Sequence, residues 1–208
     1  MTVISAAFII SAASASDFPT TGFPEIALVG RSNVGKSSLI NALVKKTIAR
    51  TSAAPGKTRL ANYYLIEPHL PAARAQPFYL VDLPGYGYAR GGEEAAREFE
   101  ALARQYFDIA PVSRRQIAGA LHLVDSRHPE LPQDADAHAW LLKMGPPVAI
   151  VATKIDKLTR AERTQNLKLL EDGYDTVVVP ESALQPAGLD AIWQLLREWL
   201  EPHEQNRR

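Results

Sequence analysis

The run Gly30-Arg31-Ser32-Asn33-Val34-Gly35-Lys36-Ser37 constrains this chain more than any other segment. It matches the phosphate-loop pattern G-x-x-x-x-G-K-S and sits between an apolar, strand-like stretch and a helical one. Glycines let the backbone curl so that its N–H groups converge on phosphate oxygens, and the N-terminus of the following helix adds a favourable dipole. Lys36 brings positive charge to the outer phosphates, and the Ser37 hydroxyl can ligate Mg²⁺. Ser38 follows inside the first helical turn and belongs to the same cradle. A strand–loop–helix unit of this kind needs a largely parallel sheet around it.

The rest of the chain supplies that sheet. Apolar runs at Glu25–Gly30, Leu60–Ile66, Phe78–Asp82, Ala118–Asp125, Val148–Thr153 and Thr176–Val179 read as strands. They alternate with helical patterns at Lys36–Lys46, Glu93–Phe107, Asp134–Met144, Arg160–Glu171 and Leu189–Leu200. The order predicts a three-layer α/β P-loop domain of the Ras-like kind, its mixed sheet mostly parallel with one antiparallel strand. The stretch Glu67–Pro77 holds three prolines and reads as a long exposed hairpin loop. Thr47–Thr58 is long for a connection, and such loops usually carry function. Trp193 and Trp199 lie among Ile192, Leu195, Leu196 and Leu200 at a spacing that predicts a buried helix face. His122, inside an apolar strand, reads as a core residue, and His128-Pro129 as part of a loop.

Three further segments carry chemistry. Asp82-Leu83-Pro84-Gly85 ends the third of these strands; an aspartate there can hold Mg²⁺ through water, and the Gly85 N–H can reach a γ-phosphate. Thr153-Lys154-Ile155-Asp156 selects the base. A carboxylate at Asp156 accepts the N1 and N2 hydrogens of guanine, whereas adenine would leave it buried and unpaired. Lys154 can lay its aliphatic stem over the base. Ser182-Ala183-Leu184, after the last strand, is placed to offer backbone N–H groups to the guanine oxygen. A switch threonine completing the Mg²⁺ shell is expected after the first helix; Thr58, after Pro55-Gly56-Lys57, is the best candidate, and spacing alone does not exclude Thr47 and Thr51.

Composition narrows the alternatives. With 208 residues, 46% hydrophobic and 22% charged, the chain fits one folded domain. Boundaries are expected at 1–23 for an N-terminal arm or edge strand, 24–201 for the nucleotide-binding domain and 202–208 for a polar tail. The absence of cysteine excludes disulfides and thiolate metal sites, and it fits a reducing cytoplasm. No apolar run is long enough to span a bilayer. Val3–Ala15 is apolar, but the first basic residue is Arg31, unlike the order in a signal peptide. Net charge is zero, yet no acidic residue falls between Glu25 and Glu67, where Arg31, Lys36, Lys45, Lys46, Arg50, Lys57 and Arg59 lie. Only Lys36 is needed for phosphate, so a second polyanion can meet this face. Arg114-Arg115 is either a solvated turn or part of an RNA face.

Taken together, Gly30 through Asn41, Pro55-Gly56-Lys57-Thr58-Arg59, Leu83-Pro-Gly-Tyr-Gly-Tyr-Ala89, Leu123-Val-Asp-Ser-Arg-His128 and the Thr-Lys-x-Asp run resemble the EngB (YihA/YsxC-type) GTPases. These belong to the TrmE-Era-EngA-YihA-Septin-like class. The resemblance spans about Phe8 to Leu200, and the Pro-Gly-Tyr-Gly-Tyr run is specific to the family. It places the switch threonine at Thr58, with Gly56 to Leu60 around the nucleotide. It implies a GTPase that binds GTP and GDP with Mg²⁺, held through Ser37 and Thr58 and through water by Asp82. It further implies a monomer that acts on the large ribosomal subunit or its precursor, with a link to cell division and septation. The alternative is a non-enzymatic GTP-sensing scaffold. Two departures stand out: the Glu67–Pro77 loop is long, and the segment after Ser182 lacks a lysine many relatives carry.

Lys36, Thr58, Gly85 and Asn33 are the residues expected to act on the reaction. Tyr86 stands where many GTPases carry a water-orienting glutamine, which predicts slow intrinsic hydrolysis; Tyr86 and Tyr88 also read as packing residues of the switch loop. Asn33 resembles the asparagine of potassium-activated GTPases, whose side-chain oxygen ligates K⁺; it also reads as a turn-stabilising residue.

Overall fold

The computed structural model describes residues 2–50, 60–69, 76–87, 92–108, 116–182 and 187–201. Strands β1 (Thr2–Ala12), β2 (Pro24–Gly30), β3 (Ala61–His69), β4 (Phe78–Asp82), β5 (Gln116–Asp125), β6 (Val148–Thr153) and β7 (Val178–Pro180) form one sheet ordered β1-β3-β4-β2-β5-β6-β7. Helices α1 (Lys36–Val44), α2 (Gly92–Phe107), α3 (Pro132–Lys143), α4 (Arg160–Gly173) and α5 (Ala187–Leu200) cover its faces. β3 runs antiparallel to both β1 and β4, while β4, β2, β5, β6 and β7 pair in parallel. β3 is thus the one reversed strand expected from the sequence.

Every residue of β2, β4 and β6 is buried, which is why these strands read as unbroken apolar runs rather than alternating ones. Their two-residue period still sorts side chains between layers. Ile26 and Leu28 pack with Leu39, Ile40 and Leu43 of α1 and with Ile192, Trp193 and Leu196 of α5. Ala27 and Val29 face the opposite layer with Leu102 and Tyr106 of α2 and Leu141 of α3. A smaller cluster of Val124, Ile150 and Ala152 packs on Leu170 of α4. Trp199 is half-buried against β5, where a Cβ on Gly119 would lie 2.1 Å from its ring. Gly119 follows a register shift at Ala118, so the strand bends and loses a side chain where the indole needs room.

Most element ends differ from the sequence expectation by up to three residues, and some of the differences have a visible cause. α1 ends at Val44 because Lys45 adopts a left-handed φ of 53°. β3 continues to His69, so Glu67 and Pro68 are strand rather than loop. Pro68 pairs with Val3 beyond the last β3–β4 pair, Ile66 with Phe78, where a missing N–H costs fewer ladder bonds. β7 is Val178–Pro180 rather than Thr176–Val179. The N-terminal segment is an edge strand, β1, that ends at Ala12. Among the described residues, no helix is long and apolar enough to cross a membrane.

Candidate functional site

Parallel strands deliver their C-terminal ends to one edge of a sheet, and ligands of open α/β folds bind there. Along that edge stand the loop after β2, Asp82 at the end of β4, Asp125 at the end of β5, Thr153-Lys154 after β6 and Ser182 after β7.

The loop 30–37 has a backbone suited to a cradle. Gly35 caps α1 at φ 123° and Asn33 is left-handed at φ 62°, a conformation asparagine tolerates better than most side chains. Lys36, almost fully buried, curls back so that Nζ donates to Gly30 O at 3.2 Å and stands 4.0 Å from Asp82 Oδ1. Burial lowers the Lys36 pKa, opposed by the Asp82 charge; burial raises that of Asp82, opposed by Lys36 and by the Ser37 hydrogen bond. Ser37 Oγ donates to Asp82 Oδ2 at 2.9 Å. Asp82 Oδ1 is buried without a hydrogen-bond partner. An unsatisfied carboxylate oxygen beside a serine hydroxyl is a donor set that fits Mg²⁺, which takes few protein ligands and completes its shell with water and phosphate. Ser37 and Asp82 are therefore the residues that would hold it.

The glycine after Pro84 is required by contact. A Cβ on Gly85 would fall 2.5 Å from Ser32 N and 2.7 Å from its Cα, so this backbone lies directly on the phosphate loop. Ser32 N donates to Tyr86 O at 3.2 Å, and Leu83 N donates to Leu28 O at 3.2 Å. Two segments far apart in sequence, the phosphate loop and the residues after β4, are thereby locked together.

The base side is built on β6. Thr153 Oγ1 donates to Val34 O at 2.9 Å and lies 3.1 Å from Val124 O, fastening the phosphate loop to the sheet. Lys154 is left-handed at φ 61°, and its Nζ donates to Asn33 O at 2.8 Å and to Asp125 Oδ2 at 2.9 Å. Asp125 also receives Arg127 Nε and Nη2 at 2.9 and 2.7 Å. Burial pushes the Asp125 pKa up, but the hydrogen bonds from Arg127 and Lys154 outweigh it and hold the carboxyl below the usual carboxylate range. Asp156 Oδ1 accepts from Ser182 Oγ at 3.0 Å, with Lys157 Nζ 3.3 Å from Oδ2. Against a desolvation cost, these two donors lower its pKa and favour the carboxylate form. Ile155 N donates to Glu181 O at 3.4 Å, which carries the Ser182 segment alongside.

Several expected residues lie outside the described ones: Gly56, Lys57, Thr58 and Arg59 of the switch loop, Ala183 and Leu184 beside the base, and Thr51, Tyr88, Arg114 and Arg115. Leu60 is described and partly exposed, Thr47 and the Asn33 residue are exposed, and Arg31 turns toward α3, with Nε 3.2 Å from Asp134 Oδ1. His122 is a core residue, its Nε2 2.6 Å from the Tyr86 hydroxyl.

Four residues entered the site or its frame without a role assigned from the sequence. Asp125 ends an apolar strand as Asp82 does, and that position was its signal. Asn41 holds the exit of α1: its Oδ1 accepts from Ile48 N and Ala49 N, and its Nδ2 donates to Ala49 O. Asp134 and Glu181 are buried acids whose surroundings no local pattern reveals.

A family model described as a 50S ribosome-binding GTPase matches residues 25–154. The chain is 43% identical over 205 residues to a probable GTP-binding protein EngB of Pelotomaculum thermopropionicum, covering 96% of this chain and 98% of the relative. A crystal structure of a probable GTP-binding protein engB superposes with a TM-score of 0.63 at 22% identity, over 85% of this chain and 98% of the other. Era of Aquifex aeolicus, bound to GDP and AlF4⁻, gives a TM-score of 0.69 at 23% identity, over 85% of this chain and 56% of that one. At such identities the two superpositions establish the fold.

Proposed function

We propose that this chain, which belongs to the EngB family of GTP-binding proteins, is a slow, Mg²⁺-dependent GTP switch in assembly of the large ribosomal subunit. The observation that carries the reading is the Ser37–Asp82 hydrogen bond of 2.9 Å beneath the loop that holds Lys36. It prepares a metal site at the point where Gly85 is pressed on the phosphate loop. In the GTP state Lys36 balances the outer phosphates, Ser37 and Thr58 ligate Mg²⁺, and Gly85 N–H meets the third phosphate. Asp156 selects guanine and Lys154 covers it. Hydrolysis removes the contacts of Thr58 and Gly85, and the two states differ in affinity for the pre-ribosomal particle.

Slow turnover follows from Tyr86. Its hydroxyl is engaged with Asp134 and His122 and is not free to orient an attacking water. A partner or a potassium ion near Asn33 supplies what the side chain does not. The description of the matching family, a 50S ribosome-binding GTPase, supports the ribosomal partner. Lys45, Lys46 and Arg50 are exposed in the acid-free stretch and suit a phosphate backbone. The protein acts as a cytoplasmic monomer, with the link to cell division and septation that its family implies.

Co-sedimentation with separated ribosomal subunits tests the reading. Association with the large subunit should appear with a non-hydrolysable GTP analogue, fall with GDP, and weaken steeply with salt. Changing Lys45, Lys46 and Arg50 to Ala should flatten that salt slope by about three. No nucleotide-dependent association and no acceleration of hydrolysis by either subunit would instead favour a GTP-sensing scaffold.

A further inference from the structure

Tyr86 follows the glycine that meets the phosphate loop, yet it is only 9% exposed. Its hydroxyl donates to Asp134 Oδ1 at 2.7 Å and lies 2.6 Å from His122 Nε2. A phenol has one proton to give. With that proton on Asp134, the His122 contact is a hydrogen bond only if Nε2 carries its own hydrogen. His122 is fully buried, and burial together with neighbouring His138 pushes its pKa down to about 3, so the ring is neutral. Its Nδ1 has no hydrogen-bond partner, as the Nε2–H tautomer leaves it.

Asp134, in the first turn of α3 and 0% exposed, closes the circuit. The same Oδ1 stands 3.2 Å from Arg31 Nε, an ion pair rather than an aligned hydrogen bond. Arg31 directly follows Gly30 in the phosphate loop. Its backbone forms a parallel bridge with Tyr86, and Ser32 N donates to Tyr86 O. Side chain and main chain therefore fasten Tyr86 to the loop, to β5 and to α3 at once. Gly85, one residue before, has its α-carbon against Ser32 with no room for a methyl group.

We propose that Tyr86 is a positioning residue, and that its hydroxyl, through Asp134 and His122, fixes the Gly85 N–H at the height where a third phosphate is received. The proposal rests on the reading of Gly85 as a γ-phosphate contact. Its consequence is selective. Gly85 faces a group that GDP lacks, so loosening Tyr86 weakens GTP binding and spares GDP. It also gives the tyrosine a reason to replace glutamine: the position is used to hold the backbone instead of a water.

The test compares three variants by the ratio of affinities for GDP and a non-hydrolysable GTP analogue, both with Mg²⁺. Tyr86→Phe deletes one oxygen and should weaken the analogue about tenfold while GDP stays within about twofold. The double change Tyr86→Phe with Asp134→Leu removes both ends of the buried hydrogen bond. It removes the orphaned acceptor but also the carboxylate opposite Arg31, so the nucleotide ratio is its readout: analogue affinity should stay as low as in Tyr86→Phe, and its recovery would overturn the positioning role. Gly85→Ala tests the underlying reading by displacing the same N–H directly. A shifted ratio in Gly85→Ala with an unshifted ratio in Tyr86→Phe overturns the positioning role alone. Unshifted ratios in both overturn the γ-phosphate reading and the proposal with it. A purely structural Tyr86 would lower the melting temperature and leave the ratio at its wild-type value.

Discussion

Asp125 and Lys154 form a 2.9 Å ion pair across the ends of β5 and β6, and that pair places the lysine over the phosphate loop. Arg127 occupies the rest of the carboxylate, so Lys154 meets a fixed anion rather than a swinging one. If Lys154 covers the base as proposed, Asp125→Ala should weaken GTP and GDP by the same factor, about tenfold, since both carry that base. Titration with each nucleotide checks this, and a loss confined to GTP would contradict it.

The Ser37–Asp82 pair makes a different prediction. Deleting the Ser37 hydroxyl takes its hydrogen bond from Asp82 and, on the proposed reading, removes a metal ligand. Ser37→Ala should lower Mg²⁺-supported nucleotide affinity at least about tenfold. With the metal chelated, wild type and variant should bind alike. A deficit that persists in chelator would point to a collapsed loop instead.

On the proposed reading base choice rests on Asp156, whose carboxylate is held by Ser182 and Lys157. Replacing one carboxylate oxygen by an NH2 group turns an acceptor into a donor. Asp156→Asn should trade guanine for xanthine nucleotides, with a preference change of about a hundredfold or more. Competition binding with GDP and xanthosine diphosphate measures it, and unchanged guanine preference would refute the assignment.

Asn33 sits at φ 62°, where glycine is equally at ease, so Asn33→Gly deletes the side-chain oxygen without straining the loop. If that oxygen ligates potassium, wild type should hydrolyse GTP about tenfold or more faster in KCl than in NaCl, and the variant should not distinguish the salts. Equal wild-type rates in the two salts would remove the ion from the mechanism.

Glu181 gives a pH signature. Burial, helped by the Asp156 charge, pushes its pKa from 4.5 up to about 7, and its Oε1 has no hydrogen-bond partner. The folded state prefers the neutral acid, so this contribution to stability is full below pH 4.5 and is lost as pH rises through about 7. Glu181→Gln is neutral throughout. It should match wild type near pH 4.5 and exceed it by about 2–3 kcal/mol at pH 8. Denaturant melts across that range decide it, and a difference independent of pH would mean the carboxyl does not titrate there.

What could be read in advance followed from locality. β4 and β6 fell where the sequence put them because strands buried on both faces leave a continuous apolar signature ending in a polar residue that works at the sheet edge. That Lys36, Ser37, Asp82 and Asp156 would gather at one sheet edge was legible because each stands at a fixed offset from an element end. The Tyr86–Asp134–His122 cluster was not. Its members lie on three elements, and an aspartate at the start of a helix looks the same from sequence whether it caps the helix in water or is fully enclosed. The extension of β3 through Pro68 was hidden for a related reason, since proline argues against a strand unless the partner on one side has already ended.

The place of β1 has a consequence for how the chain assembles. Its sheet partner is β3, with Ala12 opposite Ala61 and Thr2 opposite His69. β1 cannot be seated until a segment some fifty residues later exists, and β3 in turn needs β4. Meanwhile Thr2–Ala12 carries no charge, with Ile4 and Phe8 among its side chains, so this segment leaves the ribosome as a strand without its partner. During synthesis the order of manufacture and the order of assembly run in opposite directions at this edge.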